Sequence, residues 1–302
     1  MKKRILILGA TGMLGHVLLR YFLTHQEYEV FGTTRDLSGL PKIIPSELAS
    51  RFKQDIVDAD NFDSVIRALA SIQPDIVINC IGLIKQLPIS SDPLSAITVN
   101  ALLPHRISLI SITAGARMIH ISTDCVFNGV KGNYTEKDPS SAEDLYGQTK
   151  FLGEVTYPHC VTLRTSIIGH ELKGGYGLID WFLAQHGNIR GFSKAIYSGF
   201  PTVEMARIII NYILPNEKLN GLYHVSSCPI SKYELLKMVA ERYDKRITIE
   251  PCDDFALDRS MDSSIFRSLT GYVPPTWTEL VDTMYRDYDA NRTCYEKNTV
   301  AL

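Results

Sequence analysis

The sequence predicts an α/β protein: a doubly wound parallel sheet followed by a smaller, partly helical C-terminal domain. Three observations carry that prediction. Short, nearly continuous apolar runs recur through the first half, as in strands covered on both faces. Segments with apolar residues at helical spacing separate them, which is the alternation of βαβ units. After about residue 170 the alternation stops, at a glycine-rich stretch from Gly169 to Gly177.

The expected strands are Arg4–Leu8, Glu29–Thr33, Asp75–Ile81, Met118–Ser122 and Val161–Leu163. The expected helices between them are Leu14–Thr24, Phe62–Ile72 and Leu94–Thr113, with a further one from Leu145. Beyond the glycine-rich stretch, helical spacing returns at Val203–Ile213, Lys232–Tyr243 and Glu279–Tyr288. Residues 1–170 therefore read as one domain. Residues 171–302 read as mainly a second one, with part of the chain returning to the first. The last ten residues or so are polar and read as frayed.

Composition narrows the class of protein. Of 302 residues, 45% are apolar, enough for a large core, and the net charge of −2 offers no basic excess for a nucleic-acid backbone. No apolar run approaches the length of a bilayer span. Met1-Lys2-Lys3-Arg4 resembles the start of a secretion signal, but the apolar run breaks at Gly9 and reads as a buried first strand. The six cysteines show no CxxC spacing and the eight histidines no HxxxH spacing, so no metal site is expected. Cys80 and Cys160 read as buried thiols of a reducing, cytoplasmic setting.

The first chemical signal is Gly9-Ala10-Thr11-Gly12-Met13-Leu14-Gly15, set between a strand and a helix. Gly9 permits the turn, Gly12 lets a pyrophosphate approach the backbone, and Gly15 lets the helix pack on the sheet. The helix N-terminus then offers N–H groups and a positive dipole end to phosphates. The residues ending the second strand read Thr33-Thr34-Arg35-Asp36. Arg35 is a cation where a 2′-phosphate would lie, which favours NADPH. Asp36 can still reach a ribose, so NADH stays open. Asp55 and Ile56, expected just after a short third strand, would flank the adenine.

The second signal is Tyr146-Gly147-Gln148-Thr149-Lys150. On a helix Tyr146 and Lys150 share one face. A neighbouring ammonium favours the phenolate, so the lysine is expected to pull the phenol below its usual value near ~10. Tyr146 would give a proton to a carbonyl oxygen as hydride reaches the carbon. Thr123, after a buried strand, would polarise the same oxygen.

With these residues in place, the chain resembles the extended short-chain dehydrogenase/reductase superfamily. Within it, Ile121-Ser122-Thr123-Asp124-Cys125-Val126-Phe127-Asn128-Gly129 is similar to the ISTDYVFDG signature of dTDP-4-dehydrorhamnose reductases, and Leu163-Arg164-Thr165-Ser166 to their LRTSW segment. The resemblance implies that Thr123, Tyr146 and Lys150 are the catalytic triad. It implies that Asn79-Cys80-Ile81-Gly82 passes the nicotinamide ribose, with Cys80, Ile81 and Gly82 on the cofactor. It matches Asn100 to an asparagine behind the active site. It matches Pro201-Thr202-Val203-Glu204 to a segment where the chain returns to the nucleotide domain.

Two segments depart from the rhamnose enzymes where a sugar would sit. Ile167 replaces an aromatic residue, and residues 79–87 differ from their NAAAYTxVDxAE stretch. The sugar and its nucleotide are therefore not fixed by the resemblance. Candidate substrate contacts are Lys85, Asn100, Asp124, Cys125, Ile167 and Arg259. Arg259 suits a diphosphate because its planar fork makes bidentate contacts. Lys85 reads equally as a solvated loop lysine, and Tyr176, Trp181 and Tyr197 read more readily as packing.

The leading expectation is an NAD(P)H-dependent reductase of a nucleotide-linked 4-keto-6-deoxy-sugar, serving polysaccharide or deoxysugar biosynthesis. Two alternatives stand beside it. One is an epimerase or epimerase-reductase, with Cys125 and Lys85 as an acid–base pair, as in the similar GDP-fucose synthases. The other is a non-enzymatic dinucleotide-binding subunit, like the regulatory subunit of methionine adenosyltransferase. The resemblance also implies a homodimer.

Overall fold

The computed structural model describes residues 2–35, 44 and 52–295. Asp36 and the polar residues at the end of the chain lie outside them. The first half runs β1 (Lys3–Leu8), α1 (Gly15–Leu23), β2 (Tyr28–Thr34), β3 (Phe52–Ile56), α2 (Phe62–Ile72), β4 (Ile76–Asn79), α3 (Pro93–Ala96), α4 (Leu103–Thr113), β5 (Arg117–Thr123), α5 (Leu145–Leu152) and β6 (Cys160–Thr165). The second half runs β7 (Ile167–Ile168), α6 (Leu178–Ala184), β8 (Asn188–Tyr197), β9 (Phe200–Pro201), α7 (Thr202–Ile208), β10 (Gly221–His224), β11 (Ile230–Ser231), α8 (Lys232–Arg242), β12 (Thr248–Asp258), α9 (Ser264–Thr270), α10 (Trp277–Ala290) and α11 (Arg292–Tyr295).

Seven strands form one parallel sheet in the order β10-β6-β5-β4-β1-β2-β3. The alternation of β1 shows why both faces are covered. Ile5 and Ile7 enter one core with α1 and α10, whereas Leu6 and Leu8 enter another with α2 and α4. Strand order reverses between β1 and β4. In open parallel sheets such a reversal is where the strand ends leave a crevice and where ligands bind.

The second half adds to the first-half core and also forms a sheet that the sequence pattern did not indicate. It contributes β10 to the edge of the main sheet, while α7 packs beside α1 in the core of the first half. It also builds a separate three-stranded sheet, β11-β8-β12, in which β12 bulges between Cys252 and Ala256. This sheet escaped the sequence reading because β12 is mostly exposed and lacks strict apolar alternation. Among the described residues no helix is long and apolar enough to cross a membrane.

Two element boundaries also shift. The expected helix Leu94–Thr113 is interrupted by a π-helical segment, Ile97–Leu102. Pro104 lacks the N–H that residue 100 would receive one turn earlier, which explains the wider turn there. The fourth strand stops at Asn79 rather than Ile81, because the Asn79 side chain accepts the Ile81 N–H and turns the chain.

Under the ends of β5 and β6 lies a buried ion pair. Arg164 gives both Nε and Nη2 to the Glu154 carboxylate at 2.7 Å, with side chains only 4% and 6% exposed. Ser122 donates to the same carboxylate, and Arg164 lies over the Phe127 ring. Removing one partner strands a buried charge. Arg164→Met should therefore lower unfolding stability in urea by about 3–5 kcal/mol. The double variant Glu154→Leu/Arg164→Met should recover much of that loss. Equal stability of Arg164→Met and wild type would refute the pairing.

Candidate active site

The loop from β1 to α1 is held from two sides. Gly9 has φ +78°, and its N–H reaches Thr33 Oγ1 on β2 at 3.2 Å. A Cβ on Gly15 would lie 2.1 Å from Gly9 O, so helix and turn meet this closely only with glycine there. A Cβ on Gly12 would meet only Gly9 O, at 3.4 Å, and otherwise faces open space. No side chain caps α1 and no acid lies in its first turn. Its amide end is thus presented to the crevice beside β4.

The adenosine end is less complete. Arg35 is exposed directly after β2. Asp55 and Ile56 are the last residues of β3 itself rather than following it. Ile56 is 49% exposed, and Asp55 Oδ1 accepts the Ile56 N–H at 2.8 Å.

On the other side of the crevice, β5 ends at Thr123 and a 3₁₀ turn follows, Asp124–Val126. Thr123 Oγ1 accepts the Cys125 N–H at 3.1 Å and donates to Asp124 Oδ1 at 3.2 Å. Helix α5 is capped by Asp144, which accepts the Gly147 N–H at 2.7 Å. Gly147 has a second use: a Cβ there would stand 2.3 Å from Cys125 O. Glycine lets α5 lie directly on the 3₁₀ turn, and this brings the Tyr146 phenol to the Thr123 hydroxyl.

Lys150 is 5% exposed and donates to Ile121 O at 2.8 Å. Burial pulls its ammonium down from 10.5 to about 8, while Glu154 and Cys80 oppose the shift. A Cβ on Gly82 would lie 3.8 Å from Lys150 Nζ. The Gly82 backbone and the lysine therefore form a small open cradle that a side chain would fill. The residues present fit a nicotinamide ribose passing between them.

Tyr146 departs from its expectation. Its phenol is pushed up, not down: burial dominates, and Cys125, Asp124 and Asp144 add to it against the Thr123 hydrogen bond. Lys150 is not among the leading causes of this shift. Motif spacing carried no information about desolvation, which decides the sign here. A neutral phenol is the form that can give up a proton.

The remaining candidates divide. Asp124 is buried and its carboxyl raised, with Arg259 opposing. Arg259 arrives from just beyond β12, donating to Phe127 O at 2.8 Å and to Cys125 Sγ at 3.2 Å. Cys125 is pushed up to about 12 by burial and by Asp124. Ile167 sits in β7, half-buried at the same rim.

Asn100 is engaged with the loop after Gly82. Its Oδ1 accepts Leu83 N–H at 2.9 Å and its Nδ2 donates to Leu83 O at 3.1 Å, so both ends are spent on the loop after Gly82. Lys85 pairs with Asp144 at 2.7 Å, not with Cys125. Cys80 is half-buried, its thiol pushed up to about 12 by burial. Sequence reasoning did not single out Asp144 or Glu154. The signal available for Asp144 was its cap position before Leu145; Glu154 carried only the i,i+4 spacing from Lys150.

A glycine loop at the switch point, with a hydroxyl, a phenol and an ammonium at the neighbouring strand ends, defines a dinucleotide-dependent oxidoreductase of the short-chain dehydrogenase/reductase class. The chain belongs to the family of the RmlD substrate binding domain, whose model matches residues 2–290. It is 30% identical over 249 residues to the spore coat polysaccharide biosynthesis protein SpsK of Bacillus subtilis, covering 79% of this chain and 78% of that one. It is 27% identical to a dTDP-4-dehydrorhamnose reductase of Aggregatibacter actinomycetemcomitans, covering 76% of each. It is also 26% identical to the zebrafish (Danio rerio) methionine adenosyltransferase 2 subunit beta, covering 80% of this chain and 74% of that one. Among solved structures, a Bacillus anthracis dTDP-4-dehydrorhamnose reductase in complex with NADP superposes with TM-score 0.74 at 21% identity, covering 95% and 100% of the two chains.

Lys150 makes the pH dependence testable. Its proton leaves the folded protein near pH 8 but the unfolded chain only near 10.5. This group alone therefore makes the fold more stable as pH rises between those values. NADPH affinity should move the opposite way, falling as pH rises through about 8 and the ammonium is lost. Titration of affinity against pH should show that fall in wild type and a flat line in Lys150→Arg. A wild-type affinity that holds through this range would exclude Lys150 as a charged cofactor contact.

Proposed function

We propose that the protein is an NADPH-preferring reductase of a nucleotide-linked 4-keto-6-deoxy-sugar, with NADH admissible, in polysaccharide or deoxysugar biosynthesis. One observation carries the reading: the half-buried, neutral Tyr146 phenol at the Thr123 hydroxyl, beside the Lys150 and Gly82 cradle. The dinucleotide would rest on the Gly9–Gly15 loop, including Thr11, Met13 and Leu14, with Arg35 on the 2′-phosphate and Cys80, Ile81 and Gly82 along the ribose. When bound, it supplies the hydride. Thr123 then polarises the carbonyl oxygen, and Tyr146 gives it a proton. Lys150, anchored on Ile121 O, holds the ribose.

Asp124, Cys125, Ile167 and Arg259 line the sugar side of this reading. Residues 1–170 form the cofactor domain, and most of 171–302 forms the lobe that closes over the sugar. Arg259 is the cation that this lobe brings to the cleft. The expected setting is cytoplasmic and the expected assembly a homodimer.

Epimerisation through a Cys125 and Lys85 pair is less well supported. Lys85 is engaged with Asp144, and the Cys125 thiol stays protonated well above neutral pH. The similarity to methionine adenosyltransferase beta subunits favours a second reading, a non-catalytic partner subunit. A panel of nucleotide-linked 4-keto-6-deoxy-sugars, assayed with NADPH in deuterated water, separates these. The proposal expects cofactor oxidation with at least one sugar, and no deuterium at the carbons beside the carbonyl. Deuterium there would establish epimerisation. No oxidation with any sugar would overturn the reductase reading.

A further inference from the structure

A second polar cluster lies behind the glycine loop, away from the crevice. His16 is on α1, one residue past Gly15, and is fully buried. Its Nδ1 meets Gly12 O at 2.8 Å and its Nε2 meets the Tyr295 hydroxyl at 3.1 Å. Arg20, 6% exposed, points Nη1 and Nη2 at the same hydroxyl at 3.2 and 3.1 Å and pairs with Asp287 at 2.8 Å.

These contacts fix every proton. A guanidinium only donates, so the Tyr295 oxygen accepts from Arg20. Its own O–H therefore goes to His16 Nε2. That leaves the imidazole proton on Nδ1, where it is donated to Gly12 O. Burial, with Arg20 nearby, pulls the imidazole down to about 3, so His16 is neutral and keeps this tautomer. Gly12 O also accepts the His16 backbone N–H at 3.1 Å. The Gly12 carbonyl is thus held inward by two donors from one residue. In a trans peptide the carbonyl and the following N–H point in opposite directions. Holding Gly12 O inward aims the Met13 N–H outward, into the crevice.

Tyr295 is itself wedged in aromatic rings. The His170 ring lies 4.2 Å from Tyr288 and 5.4 Å from Tyr295, and it bonds Asp180 at 2.8 Å and the Tyr243 hydroxyl at 2.9 Å. The segment that carries Tyr295 is therefore tied to α6, α10 and the C-terminal cap of α8 as well as to α1.

We propose that Tyr295 is a positioning residue for the dinucleotide: acting through His16, it sets the peptide plane that presents the Met13 amide to a pyrophosphate. This rests on the reading of Gly9–Gly15 as the cofactor loop. It gives the short helix α11 a part in cofactor affinity, though it lies outside the crevice.

The test uses the full chain and NADPH as probe. Tyr295→Phe keeps the ring and removes one hydroxyl. Its NADPH Kd should rise about 3- to 10-fold, the range of one neutral hydrogen bond. Turnover at saturating NADPH should hold, and amide exchange in the peptide covering residues 12–16 should quicken in the cofactor-free protein. His16→Asn retains a donor for Gly12 O but cannot reach Tyr295. In that background Tyr295→Phe should change nothing further. Unchanged Kd and loop exchange in Tyr295→Phe, even with a lower melting temperature, would overturn the proposal. So would an equal loss in the His16→Asn background. If wild type fails to bind NADPH, the cofactor reading falls, while loop exchange still decides whether Tyr295 sets the loop.

Discussion

A lysine ammonium taken out of water is the constraint on which this site depends. Among the described residues Lys150 donates to Ile121 O, with the buried Glu154 carboxylate as the main compensating charge. Burying an ion costs several kcal/mol unless partners offset it. Glu154 is in turn neutralised by Arg164 and bonded by Ser122, the residue before Thr123. The charge that would hold a cofactor ribose and the hydroxyl that would polarise a carbonyl thus hang on one buried network. The network crosses from β5 through α5 to β6, and reaches β10 where Arg164 meets His224 at 3.3 Å.

The same burial settles the chemistry of the phenol. Tyr146 lies against the 3₁₀ turn because Gly147 leaves no Cβ between helix and turn. Desolvation then keeps the phenol protonated, while it leaves the neighbouring ammonium easier to deprotonate. One environment, acting on groups of opposite charge type, produces a proton donor and a titratable cation side by side. That division suits reduction of a carbonyl, in which the oxygen needs a proton as the carbon takes hydride.

Much of the fold was legible in the sequence. Strands such as Ile5–Leu8 and Ile76–Ile78 are apolar at every position because both faces are covered, and the intervening helices carry a clear stripe. The separate sheet was not legible, since β12 is largely exposed and its pairing with β8 spans more than fifty residues of sequence. The site was legible where motifs fix local backbone, as at Gly9–Gly15 and Tyr146–Lys150. It was not legible where tertiary contacts decide. The engagement of Asn100 with Leu83, from a π-helical segment, left no mark in the spacing. Nothing in the spacing of His16 and Tyr295, 279 residues apart, announced that they touch.

Tyr146→Phe isolates the proton donor, because it removes one hydroxyl and keeps the ring. NADPH affinity and single-turnover reduction of a nucleotide-linked 4-keto-6-deoxy-sugar should be measured on the same preparation. Cofactor affinity should stay within about twofold, on the order of 0.4 kcal/mol, because the ring remains in place. Reduction should slow by about 10²–10⁴-fold, the contribution of a positioned general acid. Full reduction by Tyr146→Phe would mean that the proton comes from another group, and would contradict the assignment on which the rest of the mechanism stands.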